Sequence, residues 1–291
     1  MAGSVGEWQQ VRRKKGARRS RGPDRHGRSE ADDTVDVDSL RDRVTAAMTE
    51  LRCEDFCQVW AELLAGCLAE DSERVHPPQD RAMPTPELDC VCYGLGSFSS
   101  CVASRFQLAL LLLLLDKLQI PPWRCCVFDP VFSPAEGAVL QGLGLTVLTE
   151  NEEGKRLAAR PTLFYLIHCG KALYNNLLWR NWSTETLPHL SILGNSFRGI
   201  QERMLDRVLR RDYSYIAAAV GACEETVLSP PSTRFLDVFN DTALLRFPPT
   251  HLATLPPHIW ANPPEPKYQH CEDLEIIQVE SGGDTGVKRM G

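Results

Sequence analysis

Several short polar clusters in this chain directly follow apolar runs, and their side chains are of the types that bind ligands or transfer protons. Tyr93 precedes a glycine turn, Gly94 to Ser97, while later apolar runs end at Asp129 and His168. Because ligands of open parallel sheets bind outside the carboxyl ends of the strands, such positions are candidates for a site. The predicted ligand-binding residues are Tyr93, Gly94, Gly96, Ser97, Asp129, His168, Tyr174, Asn175, Asn195 and Ser196.

The glycine turn and Asp129 together suit a cofactor that carries phosphate or ribose groups. Glycines let the backbone approach a ligand closely, and the following helix presents free N–H groups to an anion. A carboxylate at the end of the next strand can accept both ribose hydroxyls. However, Ser99 occupies the third glycine position of the dinucleotide fingerprint, and Asp129 lies 33 residues after Gly96 instead of about 20. A plain tight turn, and a turn residue before Pro130, are the alternatives.

His168 and Cys169 are residue types that supply acid–base, nucleophilic or metal-ligand chemistry. Adjacent residues leave a strand in opposite directions, so these two need not touch. A structural histidine that bonds to the next loop is the alternative. Tyr174 and the amides after it form hydrogen bonds but are unreactive, and Asn195 or Ser196 can cap the helix that follows. The chain has no Cys-x-x-Cys pair, so no metal site is predicted.

Apolar periodicity predicts strands and helices that alternate and position these groups. The predicted strands are 88–93, 125–128, 145–148, 163–167 and 189–193, and 215–220 is a sixth candidate. The predicted helices are 99–118, 134–143, 171–180 and 198–211, and the pattern indicates extended runs at 235–239 and 243–247 around a turn. Short apolar strands separated by helices imply parallel strands buried on both faces. We therefore predict an α/β fold: a doubly wound, mostly parallel Rossmann-like sheet with an N-terminal helical segment.

Composition divides the chain into regions. Residues 12–28 hold nine Lys and Arg against one acid and have few apolar residues, so they cannot bury enough surface to fold alone. Leu40, Val44, Met48 and Leu51 follow helical spacing. The predicted regions are a disordered basic arm at 1–38, a helical segment at 39–70, a linker at 71–86, the α/β domain at 88–250 and a partly disordered C-terminal extension at 251–291.

The charge distribution limits the classes of partner. The net charge is −6, but outside residues 12–28 the chain holds 23 basic and 37 acidic residues, a net of −14. An acidic body disfavours a broad nucleic-acid surface, so we expect nucleic acid to bind through the basic arm or not at all.

The longest apolar run, residues 106–115, is shorter than the roughly 20 residues that span a bilayer. Eleven cysteines without a visible secretory signal predict reduced thiols in a protein of the cytoplasm, with the nucleus as the alternative location.

A set of sequence blocks, taken together, is specific. The blocks are Tyr93 to Ser97, Gln107-Leu108-Ala109, Phe128 to Phe132, Asn151 to Gly154, His168-Cys169, Tyr174 to Leu178, Asn181-Trp182, Gly194 to Phe197 and Phe239 to Thr242. In this order they resemble the sensitivity-to-red-light-reduced (SRR-like) family, in particular its animal members. The resemblance implies a eukaryotic regulatory protein. Plant members act in light signalling and clock input, and animal members are linked to haem biosynthesis and clock-gene expression. No catalytic residues are established for the family, so none is carried over.

Three hypotheses follow. The first is a non-enzymatic regulator of haem synthesis and clock-gene expression that uses a protein partner or small ligand at the strand ends. The second is an enzyme with S-adenosylmethionine or a nucleotide as cofactor, based on Gly94, Gly96 and Asp129. The third is nucleic-acid association through the basic arm. Direct haem binding is not expected because haem-sensing Cys-Pro dipeptides are absent, although His168 and Cys169 are of types that ligate iron.

Overall fold

One sheet organises the computed structural model, which describes residues 36–75, 88–228, 233–261 and 263–268. Its strands in the described residues are β1 (Asp89–Tyr93), β2 (Cys125–Phe128), β3 (Thr146–Val147), β4 (Thr162–Leu166), β5 (Leu190–Asn195), β6 (Glu224–Val227) and β7 (Thr242–Arg246). They are ordered β3-β2-β1-β4-β5-β7-β6. Pairing is parallel from β3 to β5, whereas β7 runs antiparallel to both β5 and β6. The predicted α/β fold with a mostly parallel sheet is confirmed.

Helices cover both faces of the sheet. Their bounds are α1 (Val37–Arg52), α2 (Asp55–Val75), α3 (Val102–Lys117), α4 (Pro134–Gly142), α5 (Lys171–Arg180), α6 (Phe197–Arg203), α7 (Asp206–Asp212), α8 (Ser214–Ala219), α9 (Leu236–Phe239) and α10 (Pro249–Leu252). One core contains side chains of α1 to α4 and α9. The other contains side chains of α5 to α8 and α10. Because the residues of β4 alternate between the two cores, this strand is buried along its whole length.

Three sequence predictions about local structure are wrong. Residues 215–220 belong to a helix, α8, which suits its three consecutive alanines, since alanine is the strongest helix former. Residues 235–239 are helical instead of extended, because Phe235, Val238 and Phe239 bury one helical face. The predicted helix 198–211 is two helices, α6 and α7, separated at Met204, whose backbone is extended.

One strand was not predicted at all. β6 has the sequence Glu-Glu-Thr-Val and is only partly buried. It is an edge strand, paired with β7 alone in the described sheet, and charged residues on an edge strand discourage pairing with other chains. Such a strand lacks the apolar run by which the inner strands are predicted.

The boundaries of the predicted regions are only partly within the described residues. Helices α1 and α2 confirm the N-terminal helical segment, but α2 continues to Val75, so the predicted linker begins too early. Residues 1–35 of the predicted arm, residues 76–87 and the chain after Tyr268 lie outside the described residues, whereas Val37 and Asp38 already belong to α1. Tyr268 itself packs against α5, where its hydroxyl donates to Asn176 Oδ1 at 2.7 Å. Within the described ranges, the helices are too short or too polar to span a bilayer.

Candidate functional site at the carboxyl edge of the sheet

The glycine turn, Gly94 to Ser97, leaves the carboxyl end of β1 in a conformation that requires glycine. Gly94 and Gly96 have φ of +66° and +76°, values that side chains rarely adopt. A Cβ on Gly94 would also lie 2.6 Å from Cys169 Sγ, and one on Gly96 would lie 2.8 Å from Ser104 Oγ. The side chains of Cys169 and Ser104 therefore fill the space into which a Cβ on these glycines would point.

Asp129, at the end of β2, binds the glycine turn directly. Its Oδ2 accepts the Gly96 N–H at 2.7 Å, and its Oδ1 accepts the Val131 N–H at 2.9 Å. The residue is only 9% exposed. The sequence correctly brings Asp129 and the glycines together, but both carboxylate oxygens already have donors. The arrangement favours a structural carboxylate over the predicted contact with ribose hydroxyls.

A second carboxylate, Glu136, holds the other half of the turn. Its Oε1 accepts the Ser97 hydroxyl at 2.9 Å and the Ser99 N–H at 2.8 Å, while Oε2 accepts the Ser133 N–H at 2.8 Å. Burial acts to raise the pKa of Glu136, but these hydrogen bonds outweigh it and the pKa is lowered. The buried side chain stays ionised and joins the start of α4 to the turn.

At the ends of β4 and β5, Tyr174 and Asn195 form a buried hydrogen-bond network. The Tyr174 hydroxyl donates to the Leu166 carbonyl and accepts the Asn195 N–H at 2.8 Å. Asn195 Oδ1 accepts the His168 N–H at 2.8 Å. Burial raises the pKa of Tyr174 well above its ordinary value, so the phenol is a fixed hydrogen-bonding group and not a base. A Cβ on Gly194 would lie 2.6 Å from the Tyr174 oxygen, which explains that glycine.

His168 is exposed, yet both of its ring nitrogens have neighbours. Nε2 lies 3.0 Å from the Asn240 carbonyl oxygen, and Nδ1 lies 3.4 Å from Gln107 Nε2, which also donates to the Val238 carbonyl at 3.1 Å. This pattern assigns the ring proton to Nε2. The backbone φ of His168 is +58°, a conformation that costs energy for a residue with a side chain. The hydrogen bond from the His168 N–H to Asn195 Oδ1 stabilises this conformation.

His168 and Asn195 border an open pocket, which we call the carboxyl-edge pocket. Its volume is about 560 Å³, within the range of small-molecule sites. Arg203 and Asp241 form a two-contact ion pair at one side, and Lys171 supplies a further cation. The lining residues are His168, Cys169, Lys171, Asn195, Ile200, Arg203, Met204, Asn240 and Asp241.

The structure brings only some of the predicted site residues to this pocket. His168 and Asn195 line it, and the buried Tyr174 hydroxyl accepts the Asn195 N–H. The glycine turn and Asp129 lie on neighbouring strand ends, connected to the pocket through Cys169, whose Sγ donates to the Tyr93 carbonyl at 3.2 Å. They do not line the cavity itself.

Three predicted residues have other roles. Asn175 Oδ1 accepts the Tyr215 N–H at 3.0 Å and so connects α5 to α8. Ser196 caps α6 and also donates to Glu225 on β6. The Tyr93 hydroxyl donates to Glu152. These contacts lie within the protein, and none of the three residues lines the carboxyl-edge pocket.

Sequence reasoning did not identify Glu136, Lys171, Arg203 or Asp241. A signal existed for the first, because Ser133 followed three residues later by Glu136 is a capping-box pattern. The Arg203–Asp241 pair joins the end of α6 to the turn before β7 and has no local signal. Within the described residues, no group of three or more metal-binding side chains is present.

Comparison with known proteins identifies the family. The model of the SRR1 domain matches residues 73–246. A mouse SRR1-like protein is 42% identical over 238 residues, which cover 74% of this chain and 95% of the mouse protein. The chain belongs to the SRR1 family. A Drosophila SRR1-like protein is 33% identical over 251 residues, covering 85% of both chains. The Arabidopsis protein SENSITIVITY TO RED LIGHT REDUCED 1 is 35% identical over 158 residues, 54% of this chain and 58% of the plant protein.

No solved structure matches this chain. The matched SRR1 domain nevertheless contains the whole carboxyl edge described above, from the glycine turn to Asp241. The resemblance inferred from the sequence blocks is therefore confirmed, and the pocket lies within the part of the chain that defines the family.

Proposed function

We propose that this SRR1-family regulatory protein acts by binding a small polar ligand, or a polar segment of a protein partner, in the carboxyl-edge pocket. The observation that carries the proposal is that His168 and Asn195 are held at an open cavity by hydrogen bonds from three chain segments. Their groups are oriented to recognise a ligand, but they do not form an acid–base–nucleophile set. The Cys169 thiol is buried and donates to a carbonyl, so it is not a free nucleophile.

We further propose that the regulated processes are haem biosynthesis and clock-linked gene expression. The family membership supports a regulatory role in general, and the name of the Arabidopsis relative refers to red-light sensitivity. Direct haem ligation is disfavoured, because both ring nitrogens of His168 are engaged within the protein. The proposed regulation therefore does not require haem to bind this chain.

A thermal-shift screen of polar metabolites on the purified chain tests the pocket, with haemin as a separate arm. A ligand at 100 times its Kd stabilises the native state by about 2.7 kcal/mol, which corresponds to roughly 5–10 °C in Tm for a domain of this size. His168→Ala and Asn195→Ala should abolish the shift. His251→Ala is the matched control, since His251 is an exposed histidine on α10.

The regulatory role requires a cellular test. Cells carrying His168→Ala in place of the wild type should show altered haem content and clock-reporter rhythm, whereas His251→Ala cells should not. If both variants support normal haem content and rhythm, the pocket is not the regulatory element. A haemin Soret shift that is lost specifically in His168→Ala would replace the proposal by direct haem sensing.

A second candidate is an S-adenosylmethionine-binding enzyme, and the sheet topology favours it. The winding direction reverses between β1 and β4, where doubly wound sheets bind ligands. The site argues against it, because Asp129 already accepts two backbone N–H groups, and fold alone does not establish function.

Calorimetry with S-adenosylmethionine and S-adenosylhomocysteine decides between the candidates. Binding at micromolar Kd that is lost in Asp129→Ala but retained in His168→Ala would support the enzyme. If the chain is a non-enzymatic regulator, neither compound should give a heat of binding.

A further inference from the structure

The opposite edge of the sheet has an opening that the topology explains. Each parallel crossover carries at least one helix except that between β3 and β4, where residues 148–161 contain none. Cys126, Val91 and Phe164 are paired in register across the adjacent strands β2, β1 and β4. Their side chains therefore form a row on one face of the sheet. Part of that irregular connection, from Arg156 to Arg160, lies beside this row and lines the same opening.

This row is the floor of a cavity of about 340 Å³, which we call the amino-edge pocket. Asp89 and Thr162, the first residues of β1 and β4, place it at the amino ends of the strands. Trp123 and Leu157 form apolar walls, and they are 64% and 47% exposed. Tryptophan is one of the residue types enriched at binding hot spots.

Three arginines surround the same cavity. Arg160 Nε lies 2.6 Å from Asp89 Oδ2, and Arg124 Nη1 lies 3.5 Å from Asp89 Oδ1. Arg156 Nη1 lies 3.0 Å from Glu152 Oε2. Among the described residues, three guanidinium groups thus gather at this cavity with the carboxylates of Asp89 and Glu152, in a chain whose net charge is −6. The side chain of Arg160 is 56% exposed, so its terminal amino groups are accessible to a ligand.

An apolar floor, an exposed indole and a cluster of three guanidinium groups match one kind of ligand. Guanidinium groups bind carboxylate and phosphate through paired hydrogen bonds, and flat rings stack on tryptophan and on arginine. We propose that the amino-edge pocket is a binding site for a small aromatic anion, that is, a flat ring system carrying a phosphate or carboxylate group. The volume limits the ligand to roughly the size of a nucleoside monophosphate.

Titration calorimetry on the full chain tests this with four probes. AMP and indole-3-acetate combine a ring with a phosphate or a carboxylate, adenosine has the ring alone, and inorganic phosphate has the anion alone. At least one of the combined probes should bind with 1:1 stoichiometry, about tenfold more tightly than adenosine or phosphate. Binding of AMP alone would assign the site to nucleotides, and binding of indole-3-acetate alone would assign it to organic acids.

Variants locate the binding. Trp123→Ala and Arg160→Ala should each weaken it about tenfold. The controls Leu205→Ala and Arg207→Ala, exposed residues on or beside α7, should leave it unchanged. The inference is wrong if none of the probes binds, or if Trp123→Ala and Arg160→Ala bind as the wild type does. His168→Ala should not affect this binding, so the result is independent of the function proposed for the carboxyl-edge pocket.

Discussion

Replacing Glu136 by glutamine should destabilise the protein by loosening the glycine turn. Glu136 is fully buried and connects segments far apart in the sequence, because it accepts hydrogen bonds from Ser97, Ser99 and Ser133. Glutamine keeps the shape and one carbonyl oxygen. Its amide nitrogen, however, would face a backbone N–H that now donates to Oε1 or Oε2, so at least one buried donor loses its acceptor.

The expected loss is about 1.5–3 kcal/mol, the net value of a hydrogen bond to a charged group. For a domain of this size that corresponds to about 3–12 °C in Tm. The pKa of Glu136 is lowered in the folded state, so its stabilising contribution is complete above the ordinary value of 4.5 and is lost as the pH falls through the folded value. The stability difference between wild type and variant should therefore be constant near neutral pH and shrink in acid.

Urea unfolding at a series of pH values, followed by tryptophan fluorescence, measures this difference. Glu202→Gln on α6, an exposed position, is the matched control and should change stability by less than about 0.5 kcal/mol. The reasoning would be refuted if Glu136→Gln were as stable as the wild type at pH 7. It would also be refuted if the difference persisted unchanged below pH 4, since the carboxylate would then not be its source.

Three other substitutions test the carboxyl edge by equilibrium unfolding. Gly94→Ala should cost at least about 2 kcal/mol, because alanine is disfavoured at positive φ and its Cβ would clash with Cys169; a change under about 0.5 kcal/mol would contradict this. Asp129→Asn should cost about 1–3 kcal/mol, because an N–H₂ group replaces an acceptor of a backbone N–H, and an unchanged urea midpoint would argue against the contact. Tyr174→Phe should cost about 1–2 kcal/mol by leaving the buried Asn195 N–H without its acceptor, and a neutral effect would show that water or another group replaces the hydroxyl.

Sequence patterns were most informative where strands are buried on both faces. The predicted strand 125–128 and helix 171–180 coincide with β2 and α5. Apolar runs of strand length flanked by glycine and proline are distinctive in such a fold. Near the antiparallel end of the sheet the patterns predicted the extended run 243–247, which corresponds to β7, but they missed β6 and the helix at 235–239. There β6 is polar because it is an edge strand, and residues 235–239 place their apolar side chains at spacings that a short run does not assign to helix or strand.

The site shows a similar division. The rule that strand ends gather at one edge correctly placed Asp129 beside Gly96 and Cys169 beside Gly94. It could not show that the Asp129 oxygens would bond to backbone N–H groups, because hydrogen-bond partners depend on loop geometry. Nor could it find the Arg203–Asp241 pair, whose members are 38 residues apart and meet only because β7 inserts next to β5.

The carboxyl edge thus has two halves with different chemistry. Over β1 and β2, the amides of the turn that would cradle an anion bond instead to Asp129 and Glu136, and both carboxylates would repel a phosphate. Over β4, β5 and β7, the polar groups of His168 and Asn195 border an open cavity beside Lys171. An anionic ligand at this edge therefore meets the least electrostatic repulsion over the second half. That distribution of charge, more than the strand order, is why we propose the second half as the part of this edge where a ligand binds.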